Sequence, residues 1–120
     1  MASKIPMARP TMDEEMIKAA ADALRNERLV MGESVFKFEE EFARYIGTEY
    51  AISVASGTAA LQLSLIAAGV RGKDVFTTPL SFVATANAVV EAGGTPKFAD
   101  VRRDDRNLDP GSLAKALGKN

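Results

Sequence analysis

The first half of the chain has apolar side chains at helical spacing. After an extended arm at residues 1–10, a first stripe runs through Met12, Met16, Ala20, Ala23 and Leu24. Thr11 and Glu14 have capping-box spacing, which predicts that this helix begins at Thr11. A second stripe predicts a helix over 34–46, ended by Gly47 in a left-handed turn, and the segment 29–32 between the two helices is predicted to be a loop.

From residue 50 onwards, short apolar runs alternate with helical segments. The runs predict strands at 50–55, 74–78 and 96–101. The intervening segments predict helices at 59–68, ended by Gly69, and at 81–91. The helix 59–68 is apolar nearly all round, so we expect it to be buried. A last helix is predicted to open with Asp109 as N-cap and Pro110 at its first position.

This alternation predicts an α/β fold, with a three-layer, mainly parallel sheet and helices on both faces. The handedness of crossover connections brings the carboxyl ends of the strands to one edge, where ligands of open α/β sheets bind. Three loops are therefore the candidate site: 56–58, 78–82 and 100–103. We expect residues 1–33 to form an arm, a first helix and a loop, and 34–120 to form the strand–helix repeats.

Composition excludes several classes of function. The net charge is −1, from 15 basic and 16 acidic residues, so no basic surplus points to nucleic acid or an anionic membrane. The chain has no cysteine and no histidine, and we expect no metal site. No apolar run approaches the roughly 20 residues that cross a bilayer, and the start lacks the apolar core of a signal peptide. These features predict a cytoplasmic protein.

The loop Ser56-Gly57-Thr58 is the first candidate for chemistry. Free backbone N–H groups at the start of a helix form an anion site, and Gly57 lets a phosphate approach the backbone while Thr58 offers a hydroxyl. On spacing alone, a simple cap by Ser56 or Thr58 is favoured over a ligand site. Phe82, at the same predicted edge, could stack on a planar heterocycle, although a lone phenylalanine is more often part of the core.

The remaining candidates are less specific. Asn87 lies in an apolar helical stretch and either ties that helix to a loop or is exposed. Asp100 could contact a cofactor, but capping of the following turn is favoured. All seven lysines are predicted to be solvated surface residues: Lys4, Lys18, Lys37, Lys73, Lys97, Lys115 and Lys119.

Several segments, taken in order, strongly resemble the DegT/StrS family of sugar aminotransferases. They are Ile5-Pro6 with Arg9-Pro10, the loop ending in Gly32, Phe38-Glu39-Glu40-Glu41-Phe42-Ala43, Ser56-Gly57-Thr58-Ala59-Ala60-Leu61, Phe82-Val83-Ala84-Thr85-Ala86-Asn87-Ala88, and Phe98-Ala99-Asp100-Val101 through Asn107-Leu108-Asp109-Pro110. The resemblance covers essentially the whole chain. The ordered set is specific, although each segment alone is not.

The resemblance implies part of the large domain of a fold-type-I enzyme that uses pyridoxal 5'-phosphate and works as a homodimer. Such enzymes transfer an amino group, usually from glutamate, to a keto sugar attached to a nucleotide, as in polysaccharide biosynthesis. By resemblance, Ser56, Gly57 and Thr58 bind the cofactor phosphate and Phe82 stacks on the pyridine ring. This raises the ligand-site interpretation above capping. The loop before Gly32 is expected near an active site of such a dimer.

Three features depart from the family. The loop 29–32 lacks the small hydroxyl residue or glutamine that relatives often have before the glycine, and Gln62 stands where many have histidine. The family's Schiff-base lysine and the carboxylate facing the pyridine nitrogen lie far downstream of the Ser-Gly-Thr loop. Neither motif occurs in these 120 residues, so we assign no catalytic residue and expect a catalytically incomplete chain.

Two hypotheses follow. In the first, the chain is a segment of a longer aminotransferase. In the second, it is a non-catalytic module that binds phosphate ligands or pyridoxal phosphate, or pairs with another subunit. A third class, a dinucleotide-binding fold, would need Gly-x-Gly-x-x-Gly after the first strand, and that motif is absent. Uncovered sheet edges and apolar helices predict that the isolated chain is oligomeric or poorly soluble.

Overall fold

The computed structural model describes residues 5–118. The elements of this range are, in chain order, α1 (Glu14–Asn26), α2 (Glu33–Ile46), α3 (Gly57–Ala67), β1 (Asp74–Thr77), α4 (Ala84–Glu91), β2 (Thr95–Phe98) and α5 (Pro110–Leu117). The chain divides into two compact units, Met1–Ser53 and Val54–Asn120. Lys4 and Lys119, predicted to be surface residues, lie outside the described residues.

Helix α1 begins three residues later than the capping-box spacing predicts. Its N-cap is Asp13, whose Oδ1 accepts a hydrogen bond from the backbone N of Met16 at 2.8 Å. The predicted start at Thr11 is therefore wrong. The carboxylate of Asp13 binds the N–H of Met16 in the first turn and also carries a charge that suits the positive end of the dipole.

Helix α2 agrees closely with the predicted bounds of 34–46. The rings of Phe38 and Phe42, one turn apart, lie 5.6 Å apart between centroids. Gly47 ends the helix at φ 83°, and its N–H bonds to the carbonyl of Ala43, the one described residue of α2 that is buried. The left-handed stop predicted at Gly47 is confirmed, because glycine adopts that conformation without the steric cost of a Cβ atom.

Two glutamates of the first unit each bind the backbone and side chain of one serine. Glu27 accepts from the N of Ser34 at 2.9 Å and from its hydroxyl, and so caps the start of α2. Glu39 accepts from the N of Ser53 at 2.7 Å and from its hydroxyl at 2.8 Å. In both cases the two hydrogen bonds from serine lower the pKa of the carboxyl below its ordinary value of 4.5.

In the second unit, β1 and β2 form a parallel pair in which Asp74 is opposite Thr95 and Thr77 is opposite Phe98. Helix α4 connects the two strands and contacts both of them. Both carboxyl ends consequently lie at one edge of the sheet, as the crossover argument predicts. The predicted α/β class with a parallel sheet is confirmed.

The core of the second unit lies where α4 packs on the sheet. Its buried residues share small or branched apolar side chains: Ala88, Val89, Ala92 and Ala99. Gly94 follows α4 at the tightest point, because a Cβ atom there would lie 3.1 Å from Val89 Cγ1 and 3.3 Å from Val75 Cγ2. A glycine at this position thus permits close approach of helix and strand.

The predicted strand at 50–55 is not formed within the described residues. The segment has no ladder partner there, and Tyr50 and Ile52 are 76% and 82% exposed. A strand is defined by its hydrogen-bonded neighbour, so an apolar run with none available stays outside the sheet. The local pattern of residues 50–55 alone could not predict this outcome.

Helix α3 has almost the predicted extent, but the expectation that it is buried is wrong. None of its residues is buried, and Leu61, Leu63 and Ile66 are 41%, 52% and 52% exposed. Among the elements of this unit, α4 is its main contact. An all-apolar helix needs cover on every side, and one neighbouring helix covers only part of it.

The other predicted boundaries shift by one to three residues. Strand β2 ends at Phe98, and Val101 instead forms an isolated antiparallel bridge with Leu108. Helix α4 begins at Ala84 rather than at residue 81. Helix α5 begins as predicted, with Pro110 at its first position and Asp109 Oδ1 accepting from Gly111 N at 2.9 Å.

Within residues 5–118, the helices are all too short or too polar to cross a bilayer.

Replacing Asp13 by alanine tests the cap of α1. The substitution removes the acceptor for Met16 N, so we expect the free energy of unfolding to fall by about 1 kcal/mol in urea titrations. Thr11→Ala is the matched control, with an expected change below about 0.5 kcal/mol. The reverse order of effects would restore Thr11 as the cap.

The hydrogen bonds of Glu39 predict a pH dependence of stability. Its pKa is lowered in the folded protein, so its contribution is present above the unfolded-state pKa and is lost as pH falls through the folded-state pKa. Glu39→Gln should therefore lose less stability than the parent between about pH 6 and about pH 3. Glu49→Gln, at an exposed glutamate of the same unit, is the matched control. Urea unfolding at both pH values measures this.

Candidate functional site

The start of α3 combines a cap with free donors. Ser56 is the N-cap: its hydroxyl accepts from Ala59 N at 3.2 Å, and its carbonyl accepts from Ala60 N at 3.0 Å. Ser56 therefore does cap the helix, as the pattern alone favoured. Capping by Ser56 leaves the next two backbone donors available, so the two interpretations of this loop are compatible.

Gly57 and Thr58 carry those donors. Neither backbone N–H has an acceptor among the hydrogen bonds of the described residues. Gly57 is exposed, and a Cβ atom built on it would meet nothing within 4 Å. Thr58 is half-buried and adds a side-chain hydroxyl to the two backbone N–H groups. Two free N–H groups at the positive end of a helix dipole, with open space above a glycine, fit a phosphate group.

Phe82 is a surface residue and not a core phenylalanine. It is 77% exposed, in the connection between β1 and α4. It lines a cavity of about 290 Å³ together with Phe98, the last residue of β2. An exposed aromatic ring beside a cavity at the carboxyl edge of the sheet fits the stacking role better than a packing role.

Hydroxyl groups cluster at this cavity, which the sequence analysis did not single out. Thr78, Ser81 and Thr85 all line it. The Oγ of Ser81 and the Oγ1 of Thr85 share a hydrogen bond of 2.8 Å, and Thr78 Oγ1 accepts from Leu80 N at 3.1 Å. The spacing of four residues between Ser81 and Thr85 was the available signal, because it equals one helical turn.

The two parts of the candidate site are carried by neighbouring helices. The donors of Gly57 and Thr58 begin α3, Phe82 precedes α4, and α3 packs against α4. The cavity beside Phe82 is not lined by residues 56–58. The free donors and the exposed aromatic ring are therefore two separate parts of the candidate site.

The less specific candidates are not at the cavity. Asn87 is exposed, which agrees with the second of its two interpretations. Asp100 is exposed, and its Oδ1 accepts from Val101 N at 2.8 Å, one residue further along the chain. Lys97 pairs with Asp74 at 3.6 Å. All five described lysines are exposed, as predicted: Lys18, Lys37, Lys73, Lys97 and Lys115.

The loop 29–32 of the first unit borders a separate cavity of about 540 Å³. Met31 has a left-handed backbone, with φ 54°. Gly32 is buried, and a Cβ atom there would lie 2.6 Å from Glu27 Oε2 and 2.8 Å from the carbonyl of Arg28. At Gly32 the loop therefore packs closely against Glu27 and Arg28.

A parallel α/β unit with free N–H groups at the start of one helix and an exposed aromatic after a strand has features that suit a phosphorylated planar ligand. Comparison with known proteins defines the class further. Residues 10–120 match the DegT/DnrJ/EryC1/StrS aminotransferase family. The chain belongs to this family, and the resemblance drawn from the ordered segments is confirmed.

Two curated relatives illustrate the range of the family. The chain is 40% identical over 116 residues to the UDP-4-amino-4,6-dideoxy-N-acetyl-beta-L-altrosamine transaminase of Campylobacter jejuni, covering 97% of this chain and 31% of the relative. It is 35% identical over 106 residues to the UDP-4-amino-4-deoxy-L-arabinose–oxoglutarate aminotransferase of Shewanella sediminis, covering 88% and 27%. The chain spans about three tenths of the length of these relatives.

A solved structure shows the same fold. The sugar aminotransferase Spr1654 of Streptococcus pneumoniae, solved in its pyridoxal phosphate form, aligns with a TM-score of 0.87 at 27% identity, covering 95% of this chain and 29% of that one. The segment therefore has the fold of this part of a fold-type-I aminotransferase. The expected cofactor of the family, pyridoxal phosphate, agrees with that structure.

Proposed function

We propose that this chain is the cofactor-phosphate segment of a pyridoxal-phosphate-dependent aminotransferase acting on a nucleotide-linked keto sugar. The observation that carries the proposal is the pair of free N–H groups on Gly57 and Thr58 at the start of α3. Membership of the family and the nucleotide sugars named in two relatives support the substrate class.

In this proposal, the protein binds the cofactor through two contacts. The N–H groups of Gly57 and Thr58 donate to the phosphate, and Ser56 holds the turn by capping the helix. Phe82 stacks on the pyridine ring. When bound, the cofactor serves as the electron sink for amino-group transfer. The segment's task is to hold and orient that group.

Glutamate is the amino donor that we propose. Oxoglutarate, named in the Shewanella sediminis relative, is the keto acid that glutamate becomes on losing its amino group. We further propose that residues 1–120 are catalytically incomplete and form the N-terminal part of the large domain, because the five described lysines are exposed and none lines the cavity at Phe82. The working enzyme would be a cytoplasmic homodimer.

Gly57→Ala separates folding from binding. The added Cβ meets no atom and φ at Gly57 is not positive, so we expect the free energy of unfolding to change by less than about 0.5 kcal/mol. The methyl group would occupy the space of the phosphate. Affinity should therefore fall about tenfold for pyridoxamine 5'-phosphate, followed by its fluorescence, and for inorganic phosphate, followed by competition.

The matched control for this experiment is Gly111→Ala. Gly111 also lies in the first turn of a helix, in the same unit, and its Cβ would meet only the Asp109 carboxylate, with Oδ1 nearest at 3.4 Å. This variant should bind both probes like the parent. The full-length product of the gene is the protein to use. Parental affinity of Gly57→Ala for both probes would refute the phosphate site at α3.

A second candidate function is a subunit-interaction module, which the exposed apolar surface of α3 favours. Leu63 and Ile66 are each 52% exposed on a helix with no charged residue. Surfaces of this kind mark contacts with other chains.

The isolated chain of 120 residues is therefore expected to sediment as an oligomer in analytical ultracentrifugation. Leu63→Lys with Ile66→Lys should shift it towards the monomer, because charges disfavour burial of the α3 surface. Leu117→Lys, an equally exposed leucine of α5, is the control and should leave the oligomer unchanged. A monodisperse monomer for the parent chain would contradict this candidate.

A further inference from the structure

Thr85 makes one hydrogen bond to Phe82 and one to Ser81, the residue before it. Its backbone N donates to the carbonyl of Phe82 at 3.0 Å, and its hydroxyl shares a hydrogen bond of 2.8 Å with the hydroxyl of Ser81. One bond holds the residue before the aromatic ring and the other holds the residue that carries it. Thr85 is half-buried, whereas Phe82 is 77% exposed. A half-buried residue thus holds the backbone that carries an exposed ring.

The backbone of Phe82 has little other support. It lies after the end of β1 at Thr77 and before the start of α4 at Ala84, so neither the strand ladder nor the helix interior fixes it. The Ser81–Thr85 pair acts here as an extension of the first turn of α4. An exposed ring on an unsupported backbone would lose conformational entropy when a ligand stacks on it. A backbone ordered in advance reduces that cost and strengthens binding.

The cavity shows which ligand part this arrangement suits. Ser81, Phe82, Thr85 and Phe98 all line the space of about 290 Å³. The hydroxyls of Ser81 and Thr85 share one hydrogen bond, so each oxygen has a partner within the wall and only one O–H remains available. A wall of aromatic rings with its hydroxyls paired fits the face of a flat heterocycle better than it fits an anion.

We propose that Thr85 is a positioning residue for Phe82: through its bonds to Ser81 and to the Phe82 carbonyl, it holds the aromatic ring ready to stack on the planar ring of the ligand. This inference rests on the proposed function and deepens it. In this scheme Gly57 and Thr58 bind the phosphate of the ligand. Phe82, positioned by Thr85, contacts its planar ring. In this role Thr85 itself need not touch the ligand.

Thr85→Val tests the inference, because valine keeps the shape and the backbone bond to Phe82 but lacks the hydroxyl. Binding is measured on the full-length gene product with pyridoxamine 5'-phosphate, which cannot form an imine with surface lysines, and with inorganic phosphate. We expect Thr85→Val to weaken pyridoxamine phosphate about threefold to tenfold and to leave phosphate unchanged. Ser81→Ala should do the same. Thr85→Ser should restore affinity for pyridoxamine phosphate.

A double mutant separates positioning from a general structural effect. If Thr85 acts through Phe82, adding Thr85→Val to Phe82→Ala should cost almost nothing more, because the ring is already gone. Thr95→Val, an exposed threonine of β2 in the same unit, is the matched control and should bind both probes like the parent.

The outcomes distinguish this inference from the proposed function. Parental binding by Thr85→Val, alongside weakened binding by Phe82→Ala, would overturn the positioning role and leave the function intact. Equal loss of phosphate and pyridoxamine phosphate in Thr85→Val would also overturn it, since a general defect weakens both. If neither Gly57→Ala nor Phe82→Ala weakens pyridoxamine phosphate, the proposed function itself fails.

Discussion

The parallel pairing of β1 with β2 is the constraint on which the second unit depends. Because α4 brings the chain back to the edge where β1 begins, β2 runs parallel to β1. The end of β1 and the end of β2 at Phe98 therefore lie at the same edge of the sheet. Only then can Phe82, in the connection after β1, share a cavity with Phe98. Gly94 makes the close packing of α4 on the sheet possible. The position of the candidate ring site thus follows from backbone topology before any side-chain chemistry.

Local chemistry predicted from sequence was most accurate where a single residue decides the backbone. Gly47, Gly69 and the Asp109-Pro110 start of α5 all behave as their residue types require. Ser56 as N-cap of α3 was also predictable. At the start of α1, Thr11 and Asp13 both have side chains that can cap a helix. The carboxylate of Asp13 formed the cap, which spacing alone did not reveal.

Predictions that required a neighbour were the ones that failed. The run 50–55 has the composition of a buried strand, yet no described segment pairs with it. Helix α3 has the composition of a buried helix, yet Leu61, Leu63 and Ile66 are exposed. Both patterns indicate that a segment should be buried, but neither indicates which segment packs against it. The candidate residues 56–58 and Phe82 came from the strand–helix pattern and gained weight from the family resemblance, whereas the hydroxyl pair beside Phe82 had only a four-residue spacing as its signal.

The loop that ends at Gly32 has a consequence for directed evolution. Any side chain at Gly32 would collide with the backbone of Arg28 and with the carboxylate that caps α2, so that position must stay constant in a mutant library. Met31 offers the opposite opportunity, because its left-handed backbone costs an ordinary side chain energy that asparagine or glycine avoids. Diversity introduced at Met31 and held constant at Gly32 would sample new cavity shapes without losing the loop.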